Sequence, residues 1–177
     1  MKIAAVVLVA AALVIGGVVL WGFQHARLEV SFEPVTALEA ADYPQEFERL
    51  FRMLPRGAAR GVTFETQVTG QASDYVILQY TMRVKNRGLV AAEMLEAQVS
   101  PREGDVLCYS QQEAAGQDVN ASITVAPGQE TLLRCYLLTR KSLGPAGGPP
   151  RAQHPVREVH VSYYVWGNPF FLRLTYG

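Results

Sequence analysis

Apolar and polar positions follow two different rhythms along this chain. From Ile3 to Phe23 no charged side chain occurs. As a helix rising about 1.5 Å per residue, this stretch reaches about 31 Å, the thickness of a bilayer's hydrocarbon core. Ile3, Leu13, Trp21 and Phe23 define the expected membrane anchor. Trp21 and Phe23 stand at one end of it, where aromatic rings favour the headgroup boundary. Gln24, His25 and Arg27 then mark the return to water. The stretch has no polar face, so it fits a buried core helix badly.

A cleaved secretory signal is the competing reading. Its apolar run spans about 7–15 residues and ends in a small-x-small site. Here the best cleavage position, after Ala26, has polar Gln24 where a small residue is wanted. No cysteine lies near the end of the stretch, which excludes a bacterial lipoprotein anchor. The expectation is an uncleaved anchor. Lys2 and the terminal amine argue for an N-terminus inside, and the absence of Lys or Arg between Arg27 and Arg49 leaves the following domain free to be exported.

After Arg27 the rhythm changes to period two, the signature of a half-buried strand. Leu28, Val30 and Phe32 alternate with Glu29, Ser31 and Glu33, and Pro34 is expected to end that strand. Pro44 to Leu54 breaks the alternation, with Phe47, Leu50, Phe51 and Leu54 at helical spacing. Pro44 suits a first helical position and Pro55 ends the run, which predicts one short amphipathic helix. Alternating rows then recur: Val62, Phe64, Thr66, Val68; Val76 to Val84; Leu95, Ala97, Val99; Val106 to Tyr109; Val119 to Val125; Leu133, Cys135, Leu137; Val159 to Val165; and Phe170 to Tyr176. Asn86-Arg87-Gly88, Pro101 to Gly104, Pro127-Gly128 and Gly167-Asn168-Pro169 supply the turns.

Seven to nine short strands, each with one apolar face, predict two antiparallel sheets packed face to face. A parallel α/β fold needs a helix between strands, and only one helix is available. The expected fold class is therefore mostly β: an N-terminal transmembrane helix, then an immunoglobulin-like antiparallel β-sandwich with one short amphipathic helix. Residues 1–27 form the anchor and 28–177 the sandwich domain, with 28–60 a strand–helix lead-in and 61–177 the main sandwich. Gly144 to Pro150 reads as a flexible loop within that domain.

Val84-Lys85-Asn86-Arg87-Gly88 follows a long strand, and Ala126-Pro127-Gly128-Gln129-Glu130-Thr131 comes about forty residues later. This pair of turn motifs resembles immunoglobulin-like and fibronectin-III-like domains of the cell-adhesion-related (CARDB) type. It is also similar to the late-embryogenesis-abundant type 2 fold. In such domains the Asn-x-Gly turns the chain between strands and the Pro-Gly opens the next one. The likeness covers roughly Tyr75 to Tyr176, and it implies a sandwich without fixing a function.

Composition narrows the rest. Sixteen basic and sixteen acidic residues give zero formal charge, so no excess is available to neutralise a phosphate backbone, and no nucleic-acid partner is expected. His25, His154 and His160 share no metal-ligand spacing, and neither a nucleophile elbow nor a phosphate-binding glycine loop occurs. No catalytic residue, metal or cofactor is expected, and Asn120-Ala121-Ser122 matches a glycosylation acceptor only by a short motif.

Cys108 and Cys135, on rows read as inward-facing, are a disulfide candidate for an exported domain. The bond would close a loop of about 27 residues, worth about 3 kcal/mol in the loop-entropy picture. Two separate buried thiols are the alternative. Tyr164, Trp166 and Phe171 fall on the outward face of an aromatic hairpin. They form a candidate interaction patch, but cover by the Pro44–Leu54 helix, whose apolar face must land somewhere, is the favoured expectation. These observations lead to a single-pass membrane protein with an extracytoplasmic sandwich. Its expected role is a non-catalytic binding or structural module at the cell envelope, with the membrane and a protein as partners. A subunit of an envelope assembly or secretion complex is the alternative.

Overall fold

The structure, a computed structural model, describes residues 2–24, 27–54, 62–63, 69–100, 102, 104–114, 122–141 and 157–176. Helix α1 (Lys2–Gln24) leads into strand β1 (Leu28–Phe32). β1 and β2 (Thr36–Glu39) lie one after the other along the same edge of the long strand β4 (Tyr75–Asn86). Phe32 pairs with Met82 and Thr36 with Gln79, so four steps on the edge face three on β4. The extra residue is absorbed around Pro34, which has no N–H to offer a ladder and is tolerated at an edge. β1 thus ends before Pro34 as expected; Glu33 N–H still reaches Thr81 O at 3.0 Å, and the same edge resumes as the separate strand β2.

β4 continues into a six-stranded sheet with β7 (Glu130–Arg140), β6 (Asp105–Ser110) and the short β3 (Val62–Thr63). A second sheet runs β5 (Glu93–Val99), β8 (Arg157–Val165), β9 (Asn168–Tyr176). Every pairing is antiparallel. Val76, Leu78, Tyr80, Met82 and Val84 of β4 face Val159, Val161, Tyr163 and Val165 of β8 across one buried core. The protein is a two-sheet antiparallel β-sandwich with an apolar N-terminal helix.

A second core lies on the outer side of the larger sheet. α2 (Pro44–Met53) begins at Pro44, and it buries Phe47 and Leu50, together with Leu54 just beyond its end, against Tyr75, Ile77, Tyr109 and Leu138. This explains why the first half of β4 is buried on both faces while Arg83 further along is exposed. The helix therefore covers the outer face of β4, β6 and β7, not the aromatic hairpin. A one-turn helix, α3 (Gln111–Ala114), follows β6. The lead-in segment 28–60 is thus integral to the sandwich as far as it is described, supplying two edge strands and the covering helix.

Of the expected row from Val119 to Val125, residues 122–125 form no strand. Val125 makes an isolated bridge to Ala92, with N–H donated each way at 3.0 and 2.8 Å. The remainder of that row, Asn120, the positions Phe64 to Val68, the Gly144–Pro150 loop, His25 and His154 lie outside the described residues.

Candidate functional site

Helix α1 and the aromatic hairpin meet. Ala4–Gly22 is a 19-residue uncharged span of α1, with Leu13 well exposed along its side. Ile3 and Phe23 lie in the same helix, but their side chains fall outside the described residues. At the exit end Gly22 is buried beneath the indole of Trp166, and a methyl group added there would overlap that ring. Glycine is what allows the contact.

Trp166 and Gly167 are the two central residues of the β8–β9 hairpin, with φ of 50° and 76°. Two successive positive φ values give the primed turn that matches strand twist. Asn is favoured at the first of these positions; a bulky residue in the left-handed region costs about 1 kcal/mol. Asn168 Nδ2 donates to Trp166 O at 3.1 Å and supports the turn. Behind it, Tyr164 pairs with Pro169 and Ser162 with Phe171, so Tyr164 and Phe171 share the outer face near the tip. Farther from the tip that face is ionic: Arg173 is ion-paired with Glu158, and His160 lies 3.7 Å from the same carboxylate. The hydrogen bond from Arg173 holds the Glu158 carboxyl below its ordinary range. Tyr163 and Phe170 stack inward at 5.4 Å.

Cys108 and Cys135 also come together, inside the main core. β6 and β7 pair Cys108 with Leu137 and Ser110 with Cys135, so the cysteines are diagonal neighbours. They meet as two buried thiols sharing a hydrogen bond, and Val99 N–H donates to Cys108 Sγ at 3.5 Å. That shared bond, and then burial, pushes the Cys135 thiol well above its ordinary value.

The same interior holds an ion pair that periodicity alone passes over. Arg157 and Asp105 are buried and doubly hydrogen-bonded, with Nη2 to Oδ1 at 3.2 Å. Asp105 Oδ2 also accepts from Arg102 N–H at 2.6 Å, and Arg157 Nη1 donates to Ser100 O at 3.3 Å. The signal was present: Arg157 occupies the inward register of Val159, Val161 and Tyr163. Tyr80 OH, also buried, has no hydrogen-bond partner, and burial pushes its pKa up to about 12.

On the α2 side an open groove is lined by Asp42, Tyr43, Pro44, Gln45, Glu46, Arg49 and Ala114. Tyr109 OH donates to Glu46 Oε1 at 2.6 Å, and burial, then the Glu46 charge, raises that phenol strongly. Among the described residues no three His, Cys, Asp or Glu side chains converge on a metal site.

No family model matches this chain, and no curated protein matches it. Among solved structures it is similar to a FixG-related protein from Vibrio parahaemolyticus, at 16% identity and a TM-score of 0.37, over 86% of this chain and 93% of that one. It is also similar to an uncharacterised β-sandwich protein from Clostridium difficile 630, at 10% identity and a TM-score of 0.32, over 84% and 85%. Likenesses this slight carry no argument about this chain.

Proposed function

We propose that the protein is held in a membrane by α1 and displays its sandwich on the extracytoplasmic side as a non-catalytic binding or structural module of the cell envelope. The carrying observation is α1 itself: a 19-residue apolar span, exposed along its length except for Gly22 at its last position, continuing almost directly into an edge strand of the sandwich. A surface this apolar and this long is unfavourable in water and matches a bilayer core. The finer assignment to an immunoglobulin-like sandwich of the cell-adhesion-related kind belongs to the same proposal. It is supported by the way its two turn motifs bind each other around Asn86.

The non-catalytic part of the reading is supported by where the shifted groups sit. Tyr80 and Cys135 are enclosed in the main core, and Tyr109, also strongly raised, is buried in the second core. None of the three lines the groove beside α2, although the Tyr109 hydroxyl is held by Glu46 at its wall. The alternative, a subunit of an envelope assembly, is favoured by Tyr43 and Phe51, exposed aromatics on the α2 side.

Alkaline carbonate washing of membranes carrying the full chain tests the anchor, and protease added to the extracytoplasmic face tests the topology. The protein is expected to stay with the membrane and its sandwich to be cut. Release by carbonate, or full protection from protease, would overturn the proposal. Crosslinking in intact membranes then separates the two roles: a stoichiometric envelope complex favours the assembly subunit.

A further inference from the structure

Outside α1, the exposed large apolar residues among those described are Tyr43, Phe51, Leu89, Met94, Trp166 and Phe171. Tyr43 and Phe51 belong to the α2 side, and the other four do not. Leu89 follows β4, whose last residue, Asn86, pairs with Leu28 at the start of β1. Met94 follows Glu93, which pairs with Tyr164 near the end of β8. Trp166 tips the β8–β9 hairpin, and Phe171 lies a few residues behind it. All four therefore gather at the end of the sandwich where α1 enters. Leu89, Met94 and Trp166 are 53%, 55% and 51% exposed, so half of each side chain is in contact with whatever lies there.

Two further observations single out this end. The non-glycine residues with positive φ among those described are Met94 and Trp166, at 52° and 50°. Both are large and apolar, both are exposed, and backbone strain of this kind persists where the surroundings hold it. Trp166 is moreover seated on Gly22, one residue from Trp21 and the last residue of the apolar span. Indole rings partition to the headgroup boundary of a bilayer.

We propose that this end of the sandwich, with Leu89, Met94 and Trp166, rests in the lipid headgroup layer of the membrane that α1 spans. The occupant is the bilayer surface itself, because the helix that carries the sandwich emerges at this patch and packs against it. The inference rests on the anchor reading above. Its consequence is orientation: the β8–β9 tip points down into the interface, while the ionic stretch around Arg173 and Glu158 stands farther from it. Arg27 and Lys85, also at this end, would lie among the phosphates, whereas Arg87 there is ion-paired with Glu29 at 2.6 Å.

The chain has two tryptophans, so each can be isolated. Full-length Trp21→Phe and Trp166→Phe variants are reconstituted in phosphatidylcholine–phosphatidylglycerol vesicles containing lipid spin-labelled near the headgroup. In the Trp21→Phe variant, Trp166 is expected to lose most of its emission to the spin label and to be shielded from aqueous iodide. In the Trp166→Phe variant, Trp21 is expected to be quenched by the label as well. Trp166 open to iodide and unaffected by labelled lipid, with Trp21 quenched, would overturn this proposal and leave the anchor standing. If neither tryptophan is quenched by lipid, both readings fall. Gly22→Leu, which displaces the indole, is expected to shift Trp166 emission to the red when made in the Trp21→Phe chain and to leave Trp21 lipid-quenched when made in the Trp166→Phe chain.

Discussion

Asn86 donates its side-chain amide to the carbonyl of Val125, 2.8 Å away, and so joins two turn motifs separated by about forty residues of chain. The same amide reaches Val90 O at 2.8 Å, and Asn86 Oδ1 accepts from Gly88 N–H at 2.8 Å. The backbone completes the junction: Asn86 N–H donates to Gln129 O, and Gly128 N–H donates to Asn86 O, each at 2.9 Å. Gly128, at φ 76°, gives the Pro127-Gly128 turn the positive φ it needs. Asn86 is buried, so each of these bonds replaces water that cannot reach it.

Asn86→Asp keeps the acceptor for Gly88 but sets a carboxylate against two carbonyls that need donors. It is expected to destabilise the sandwich by about 1–3 kcal/mol, because Val90 O loses the Asn86 donor and a buried carboxylate faces both carbonyls, although Val125 O keeps the Ala92 N–H. Urea unfolding of the full chain in detergent micelles measures it, and a loss below about 0.5 kcal/mol would contradict the role given to this residue.

Arg157→Met leaves Asp105 as a buried, uncompensated charge and is expected to cost about 3–5 kcal/mol. Adding Asp105→Asn removes the charge while keeping an acceptor for Arg102 N–H, and most of that loss should return. A thermal melt of both variants decides it. Equal losses in the single and double variants would mean that pairing is not what the site contributes.

Tyr80→Phe removes a buried hydroxyl with no partner, so a gain of about 1 kcal/mol is expected at neutral pH. The alkaline behaviour follows from the raised phenol, ordinarily near 10 and here about 12. Below pH 10 folded and unfolded chains both keep the proton, and the contribution is constant. Above it the unfolded chain ionises first, so stability falls as the pH rises from about 10 towards 12. Melting across that window should be flatter in Tyr80→Phe than in the parent. A parallel decline in both would remove Tyr80 as a cause.

The thiol pair makes a kinetic prediction. Nucleophilic attack needs the thiolate, and the Cys135 thiol is raised as well as buried. Alkylation should therefore be negligible in the folded chain and should reach two groups per chain on denaturation without reductant. The diagonal offset of Cys108 and Cys135 across β6 and β7 sets their backbones wide for a disulfide, which needs Cα atoms within about 7 Å. Finding no reactive thiol until reductant is added would show that the bond forms despite that offset.

The sequence by itself determined the apolar span of α1, the antiparallel sandwich and the position of α2. Each of those depends on local periodicity, which one-sided burial imposes on a contiguous run of residues. Even the inward place of Cys108 and Cys135 was readable from alternation. What only the tertiary structure decided is which elements meet. Pro34 is legible as the end of β1, but only the long partner β4 shows that the same edge resumes as β2. α2 turned to the larger sheet, because its apolar face matches Tyr75, Tyr109 and Leu138, and left Tyr164 and Phe171 uncovered. The junction at Asn86, the Asp105–Arg157 pair and the seat of Trp166 on Gly22 join residues far apart in the chain. Such contacts are selected by shape and by the need to satisfy buried polar groups, and neither leaves a period in the sequence.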